Sequence, residues 1–147
     1  MKAGIHHPPF GPLVPVRKKI VFFVQPPDFN QCAFKITLVK IVEGIKTYLK
    51  SNFNKPISFS DIASQYNFSP AYLTKIFKEY AGTSPIKYLQ KYRIDVARKL
   101  LWSSNLSVKE IAEKVGFEDQ FHFSKNFKNV VGVSPQQFRS KISNSDD

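Results

Sequence analysis

Four lysines at matching positions are the residues of this chain best placed to do chemistry. Lys75 and Lys78 recur as Lys125 and Lys128 in two windows, SPAYLTKIFKEYAGTSP and DQFHFSKNFKNVVGVSP. The windows also share Phe77/Phe127, Gly82/Gly132, Ser84/Ser134 and Pro85/Pro135, all at an offset of 50. An ammonium group is a point charge with three hydrogen-bond donors, so its chemistry is recognition of anionic or acceptor-rich partners. A repeat of this period is a duplicated supersecondary unit.

Other reactive groups lead nowhere comparable. His6 and His7 are adjacent, flanked by prolines and without a third or fourth ligand in sight, which fits an exposed turn better than a zinc site. Cys32, the single cysteine, has neither a basic cluster nor a partner cysteine beside it, so it reads as a small buried or half-buried side chain. His122 sits in a helical pattern with no nucleophile or orienting carboxylate in register, and packing is its expected role. No Gly-rich phosphate loop, catalytic carboxylate pair or nucleophile motif is present. The sequence reads as a non-enzyme that needs no metal or cofactor.

Charge points to the partner. Among 147 residues, 22 Lys+Arg against 11 Asp+Glu leave +11 and a pI near 9.8. Such a balance favours nucleic acid, an anionic membrane or an acidic protein, with plain solubility as the bland alternative. One cysteine forbids an internal disulfide and fits a reducing cytoplasm. No signal peptide pattern opens the chain, and no apolar run approaches the roughly 20 residues needed to span a bilayer.

The elements that must position the lysines follow from periodicity and punctuation. Residues 1–34 hold six of the ten prolines and read as an irregular segment, with one possible strand over residues 20–24 that has nothing local to pair with. From Ile36, the residues Leu38, Ile41, Val42, Ile45, Tyr48 and Leu49 recur at helical spacing, with Lys40, Glu43, Lys46 and Lys50 on the opposite face. Asn52 to Pro56 end that helix. Ser58 opens a capping box in which Asp61 is expected to reach back to the cap. A short helix carrying Ile62, Ala63 and Tyr66 inward then stops near Asn67-Phe68. Ser69 caps the next helix, with Pro70 at its first position. Helix, tight turn, helix is a helix-turn-helix, here over about 58–82.

A linking helix over about 85–102 turns Leu89, Val96, Ala97, Leu100 and Leu101 inward and scatters Lys87, Lys91, Arg93, Arg98 and Lys99 around them. At about 1.5 Å per residue it is on the order of 25 Å long. The pattern then recurs over about 107–132: Ser107 and Glu110 as a capping box, Val108, Ile111, Ala112 and Val115 as the stripe, Gly116-Phe117 as the turn, Asp119 as the next cap. The offset is 49 before this turn (Ile62/Ile111, Ala63/Ala112, Phe68/Phe117) and 50 after it, so the second turn is one residue longer. Ser134 and Pro135 begin a last helix, and 143–147 form a polar tail.

Stepping 100° per residue around the second helix of each unit sorts its faces. Leu73, Ile76 and Phe77 point inward in the first, with Ala71, Lys75 and Lys78 opposite and Thr74 beside them. In the second, Phe123 and Phe127 point inward, and Phe121, Lys125 and Lys128 face out with Ser124 beside them. Major grooves of DNA are about 12 Å wide and admit one helix each. Those on one side of a duplex lie about 34 Å apart, and here one chain carries both readers.

IASQYNFSPAYLTKIFKEYAGTSPIKYLQKYRIDVARKLL and IAEKVGFEDQFHFSKNFKNVVGVSPQQFR together resemble the DNA-binding domain of AraC/XylS-type transcription regulators, over about residues 35–142. Gly116-Phe117, Phe123, Phe127, Gly132 and Ser134-Pro135 look like the family's signature. The resemblance implies an all-α domain of seven helices in two helix-turn-helix subdomains joined by the helix over 85–102. It implies base reading from Ala71, Thr74 and Lys75 in the first unit and Phe121, Ser124 and Lys125 in the second. Two departures weaken readout: Ala71 and Phe121 offer only apolar contact, such as to thymine methyl groups, and lysine lacks the bidentate fork of arginine.

Phosphate contacts are assigned to the capped helix starts at Ser58 and Ser107 and to Lys78 and Lys128; helix initiation and a solvated face are the plain alternatives. The resemblance further implies a cytoplasmic, nucleoid-associated activator that contacts RNA polymerase beside a promoter. The family usually joins this domain to a sensor or dimerisation domain. Residues 1–34 are too few to fold into one, so monomeric DNA binding is expected unless a sensor lies outside this chain. The rival reading is a degenerate helix-turn-helix protein working mainly through protein contacts. Membrane binding is remote, since the basic faces lack an adjoining apolar stripe.

Overall fold

The computed structural model describes residues 31–143, and among these all regular structure is helical: α1 (Gln31–Ser51), α2 (Phe59–Gln65), α3 (Pro70–Ala81), α4 (Pro85–Ser103), α5 (Val108–Lys114), α6 (Gln120–Val131) and α7 (Pro135–Ser143). The strand expected over residues 20–24, the turn at His6-His7, the side chain of Cys32 and the tail beyond Ser143 lie outside the described residues.

The starts of α2 to α7 and the ends of α3 and α6 lie where capping residues direct. Ser58, Ser69, Ser84 and Ser107 accept from the backbone N–H three residues on, and Asp119 does so at 2.7 Å from His122. Pro70 and Pro85 occupy first-turn positions where no N–H is missed. Gly82 and Gly132 close α3 and α6 in the left-handed region, at φ 72° and 87°, each donating its N–H to a lysine carbonyl four residues back. Before α7, Ser134 and Gln137 form a reciprocal box, with bonds of 3.0 and 3.2 Å.

Burial of the apolar stripes produces two cores. Leu38, Val42, Ile45 and Leu49 of α1 pack with Ile62, Ala63, Leu73, Ile76, Phe77 and Leu89. Ile94, Ala97 and Leu101 of α4 pack with Val108, Ile111, Ala112, Val115, Phe117, Phe123 and Phe127. One helix, α4, therefore supplies its first half to one core and its second half to the other. Phe53, in the loop after α1, packs against both.

The sequence repeat is a repeat of packing. Phe77 meets Tyr88 edge-on at 5.6 Å and 72°, and Phe127 meets Phe138 at 5.6 Å and 70°. Phe68 meets Tyr72 at 77°, and Phe117 meets His122 at 77°. These T-shaped contacts match the aromatic quadrupole. The two turns also agree: Phe68 donates its N–H to Ala63 and Phe117 to Ala112, each at 2.9 Å, and the residues before them, Asn67 (φ 55°) and Gly116 (φ 85°), are both left-handed. The extra residue, Glu118, falls between Phe117 and the Asp119 cap.

Three local details depart from the expectations. α1 begins at Gln31, five residues before Ile36, because nothing in Gln31-Cys32-Ala33-Phe34 breaks a helix and Phe34 packs against the first core. Ser58 caps α2, but the reciprocal bond from the cap N–H is present at Ser107–Glu110 (2.7 Å) and not at Asp61. Aspartate is one methylene shorter than the glutamate of a complete box. In α4, Ile94 is fully buried while Val96 and Leu100 are half-buried at the edge of the second core.

Candidate nucleic-acid interface

α3 is held by Leu73, Ile76 and Phe77, all buried, which fixes the rotation of the helix and hence what it presents outward. Ala71, Thr74, Lys75 and Lys78 are exposed on its outer side. The Thr74 hydroxyl donates to the Pro70 carbonyl at 2.9 Å, so its lone pairs are what it shows to solvent. A short apolar group, a hydroxyl acceptor and an ammonium thus lie together on one helical surface.

α6 is held the same way by Phe123 and Phe127. Phe121, Lys125 and Lys128 are exposed on its outer side and Ser124 is half-buried. Phe121 stands out at 81% exposed, the largest value among the exposed large hydrophobic side chains described. His122 is exposed, with its ring edge-on to Phe117. Lys75, Lys78, Lys125 and Lys128 make no ion pair among the described residues, where Lys46–Glu43 and Arg98–Asp95 do.

The four residues expected to touch phosphate differ in setting. Lys78 and Lys128 stand in the last turns of α3 and α6. The Ser107 N–H is occupied by the Glu110 carboxylate at 2.7 Å, and those bonds from Ser107, first through its side chain and then its backbone, hold the Glu110 carboxyl below the ordinary carboxylate range. That carboxylate already supplies a negative charge at the start of α5. No side-chain carboxylate occupies the corresponding N–H of Ser58.

Arg93 is a residue that sequence reasoning placed wrongly. It was expected on the scattered basic surface of the linking helix, yet it is half-buried, donating from Nε to the Phe53 carbonyl at 2.7 Å and from Nη2 to the Lys55 carbonyl at 3.0 Å. Its guanidinium carbon also lies 5.7 Å from the centre of the Phe117 ring. Burial lowers its pKa from the ordinary value, and an arginine so placed remains charged. The signal was present in the spacing: Arg93 is four residues after Leu89 and four before Ala97, on the inward line of α4.

Among the described residues, no group of three or more His, Cys, Asp or Glu is placed to hold a metal ion, and no helix is long and apolar enough to cross a membrane. The arrangement offers two similar outward helical faces, each with an unpaired lysine near its centre, carried on two similarly packed cores.

Known proteins resemble this chain in sequence and in fold. A family model described as a helix-turn-helix domain matches residues 62–141. The raffinose operon transcriptional regulatory protein RafR of Pediococcus pentosaceus is 42% identical over 96 residues, which is 65% of this chain and 35% of that protein. The chain spans about a third of the length of the curated relatives it matches. Among solved structures, the C-terminal domain of AraT, a response regulator from Geobacillus stearothermophilus, aligns with a TM-score of 0.65 and 38% identity over 69% of this chain and 84% of that one. A transcriptional regulator of the AraC-type DNA-binding-domain class from Chromobacterium violaceum aligns with a TM-score of 0.62 and 29% identity, covering 75% of this chain and 96% of that one. With more than half of its length in the helix-turn-helix match and AraC-type domains sharing its seven-helix arrangement, the chain belongs to the AraC/XylS-type family of DNA-binding transcription regulators.

Proposed function

We propose that this domain binds double-stranded DNA sequence-specifically, laying α3 and α6 into successive major grooves, and that it acts as a transcription activator in contact with RNA polymerase. The observation that carries the reading is the duplication of the outward face: Ala71, Thr74 and Lys75 in one unit, Phe121, Ser124 and Lys125 in the other, at matching positions on helices whose rotation is fixed by buried apolar side chains. In this reading Lys75 and Lys125 donate to base acceptors, Thr74 and Ser124 pair with base edges, and Ala71 and Phe121 lie against thymine methyls. Lys78 and Lys128 neutralise phosphates, and of the two caps Ser58 is the more open to one. One chain carries both readers, so the domain binds as a monomer. A DNA partner places it in the cytoplasm, at the nucleoid.

The test is to select bound sequences from a random pool and measure Lys75→Ala and Lys125→Ala on the selected operator. Each should lose about 1–3 kcal/mol and relax choice at a different base position. If both bind as tightly and as selectively as the parent, the faces are misassigned. Activation is tested by transcription in vitro with polymerase on a promoter carrying that operator.

Phe121 favours one other reading. A fully presented aromatic ring on a DNA-facing helix is also what a protein-docking surface displays, and a domain of that kind would work through polymerase or another regulator. It predicts no preference over random DNA at about 150 mM salt, together with loss of partner binding in Phe121→Ala.

A further inference from the structure

The two helix-turn-helix units are joined by more than the covalent run of α4. Arg93 bonds to the carbonyls of Phe53 and Lys55 in the α1–α2 loop, which belongs to the first unit, while its guanidinium faces the ring of Phe117 in the turn of the second. Gly116 in that turn presses on the same point. A Cβ there would lie 2.7 Å from the Phe53 carbonyl oxygen and 3.0 Å from Arg93 Nη2. The Phe53 ring packs against both cores and meets Tyr92 edge-on at 5.5 Å. A loop of one unit and the turn of the other therefore close on a single guanidinium.

We propose that Arg93 is a positioning residue, a latch that fixes how α3 and α6 are oriented relative to each other and so sets the spacing between the DNA segments they read. The proposal rests, for its DNA half, on the two-groove reading above. A bare helix bends and lets its two ends twist, whereas two directional bonds and a ring contact at the midpoint resist both motions. Arginine suits this because its planar fork reaches two carbonyls at once while its face lies toward an aromatic ring, which lysine cannot reproduce. Gly116 completes the closure, since any side chain there would push the turn off the Phe53 carbonyl.

The first readout needs no DNA. Spin labels at Glu79→Cys and Asn129→Cys, exposed and equivalent positions of α3 and α6, in a Cys32→Ser background report the distance between the two helices. The parent should give one narrow distribution, and Arg93→Ala and Arg93→Lys should broaden it at least about twofold, with the thermal unfolding of each variant recorded alongside. The second readout uses the selected operator with one base pair inserted between its halves. The parent should lose about tenfold in affinity, the scale of a single mismatched pair, and the Arg93 variants distinctly less, with base preference inside each half unchanged. An unchanged distance distribution in both variants overturns the latch, and Arg93→Lys answers if Arg93→Ala does not fold. If the parent selects no operator, the DNA reading fails, and the label distances still decide the latch.

Discussion

Replacing Gly116 with alanine should be much more damaging than the same change at Gly132, although the two glycines have nearly the same backbone conformation. Their φ values are 85° and 87°, so the steric cost of a left-handed alanine, about 1–2 kcal/mol, is common to both. The gain from a stiffer unfolded chain, about 0.4–1 kcal/mol, is common as well. What differs is the space: nothing lies within 4 Å of a Cβ at Gly132, whereas at Gly116 the Cβ meets the Phe53 carbonyl oxygen at 2.7 Å and the Arg93 guanidinium at 3.0–3.1 Å. The nearest atom is backbone and cannot swing aside, so an overpacking cost of about 1–3 kcal/mol adds to Gly116→Ala alone. At about 4 °C per kcal/mol for a domain of this size, Gly116→Ala should melt about 4–12 °C below Gly132→Ala. Thermal unfolding followed by circular dichroism measures both. If the two variants melt together, the close approach between the second turn and the α1–α2 loop is absent and the junction built on it falls.

Phe127→Ala removes a fully buried ring that contacts Phe123 and Phe138 and should cost about 3–5 kcal/mol in chemical denaturation; a loss below about 1 kcal/mol would contradict the packing described for the second core. The Glu110 carboxyl is held below its ordinary value in the folded state by Ser107, so its contribution is fully present above the ordinary glutamate pKa of about 4.3 and disappears as pH falls through the depressed value. Glu110→Gln should therefore flatten that part of the acid-side decline in thermal stability, and identical pH profiles would remove the linkage. Lys78→Ala should weaken binding to all DNA sequences alike and lower the salt slope by about 1. A change confined to one base position would instead make Lys78 a reading residue.

Much of this arrangement is legible in the sequence because the repeat constrains itself. The caps at Ser69, Ser107 and Asp119, the closing glycines Gly82 and Gly132 and the inward set Leu73, Ile76, Phe77, Phe123 and Phe127 are written as residue types at fixed intervals, and local chemistry suffices to place them. The outward faces carrying Lys75 and Lys125 follow from the same helical arithmetic. Contacts between units were harder, because they join residues far apart in the chain. Arg93 reaches Phe53 across 40 positions, and its charge argued for solvent while its place between Leu89 and Ala97 argued for burial. Gly116 could be read as a turn residue, but Asn67 adopts the same left-handed conformation in the first unit. The neighbouring Phe53 carbonyl and Arg93 guanidinium explain why the second unit has no room for a side chain.

Selection of bound sequences from a random duplex pool at about 150 mM salt tests the central claim most directly. Two readers on one chain predict two short blocks of base preference whose centres lie about one helical turn, 10–10.5 base pairs, apart, with A·T pairs enriched where Ala71 and Phe121 approach. A single block, or no enrichment over the starting pool, would contradict it.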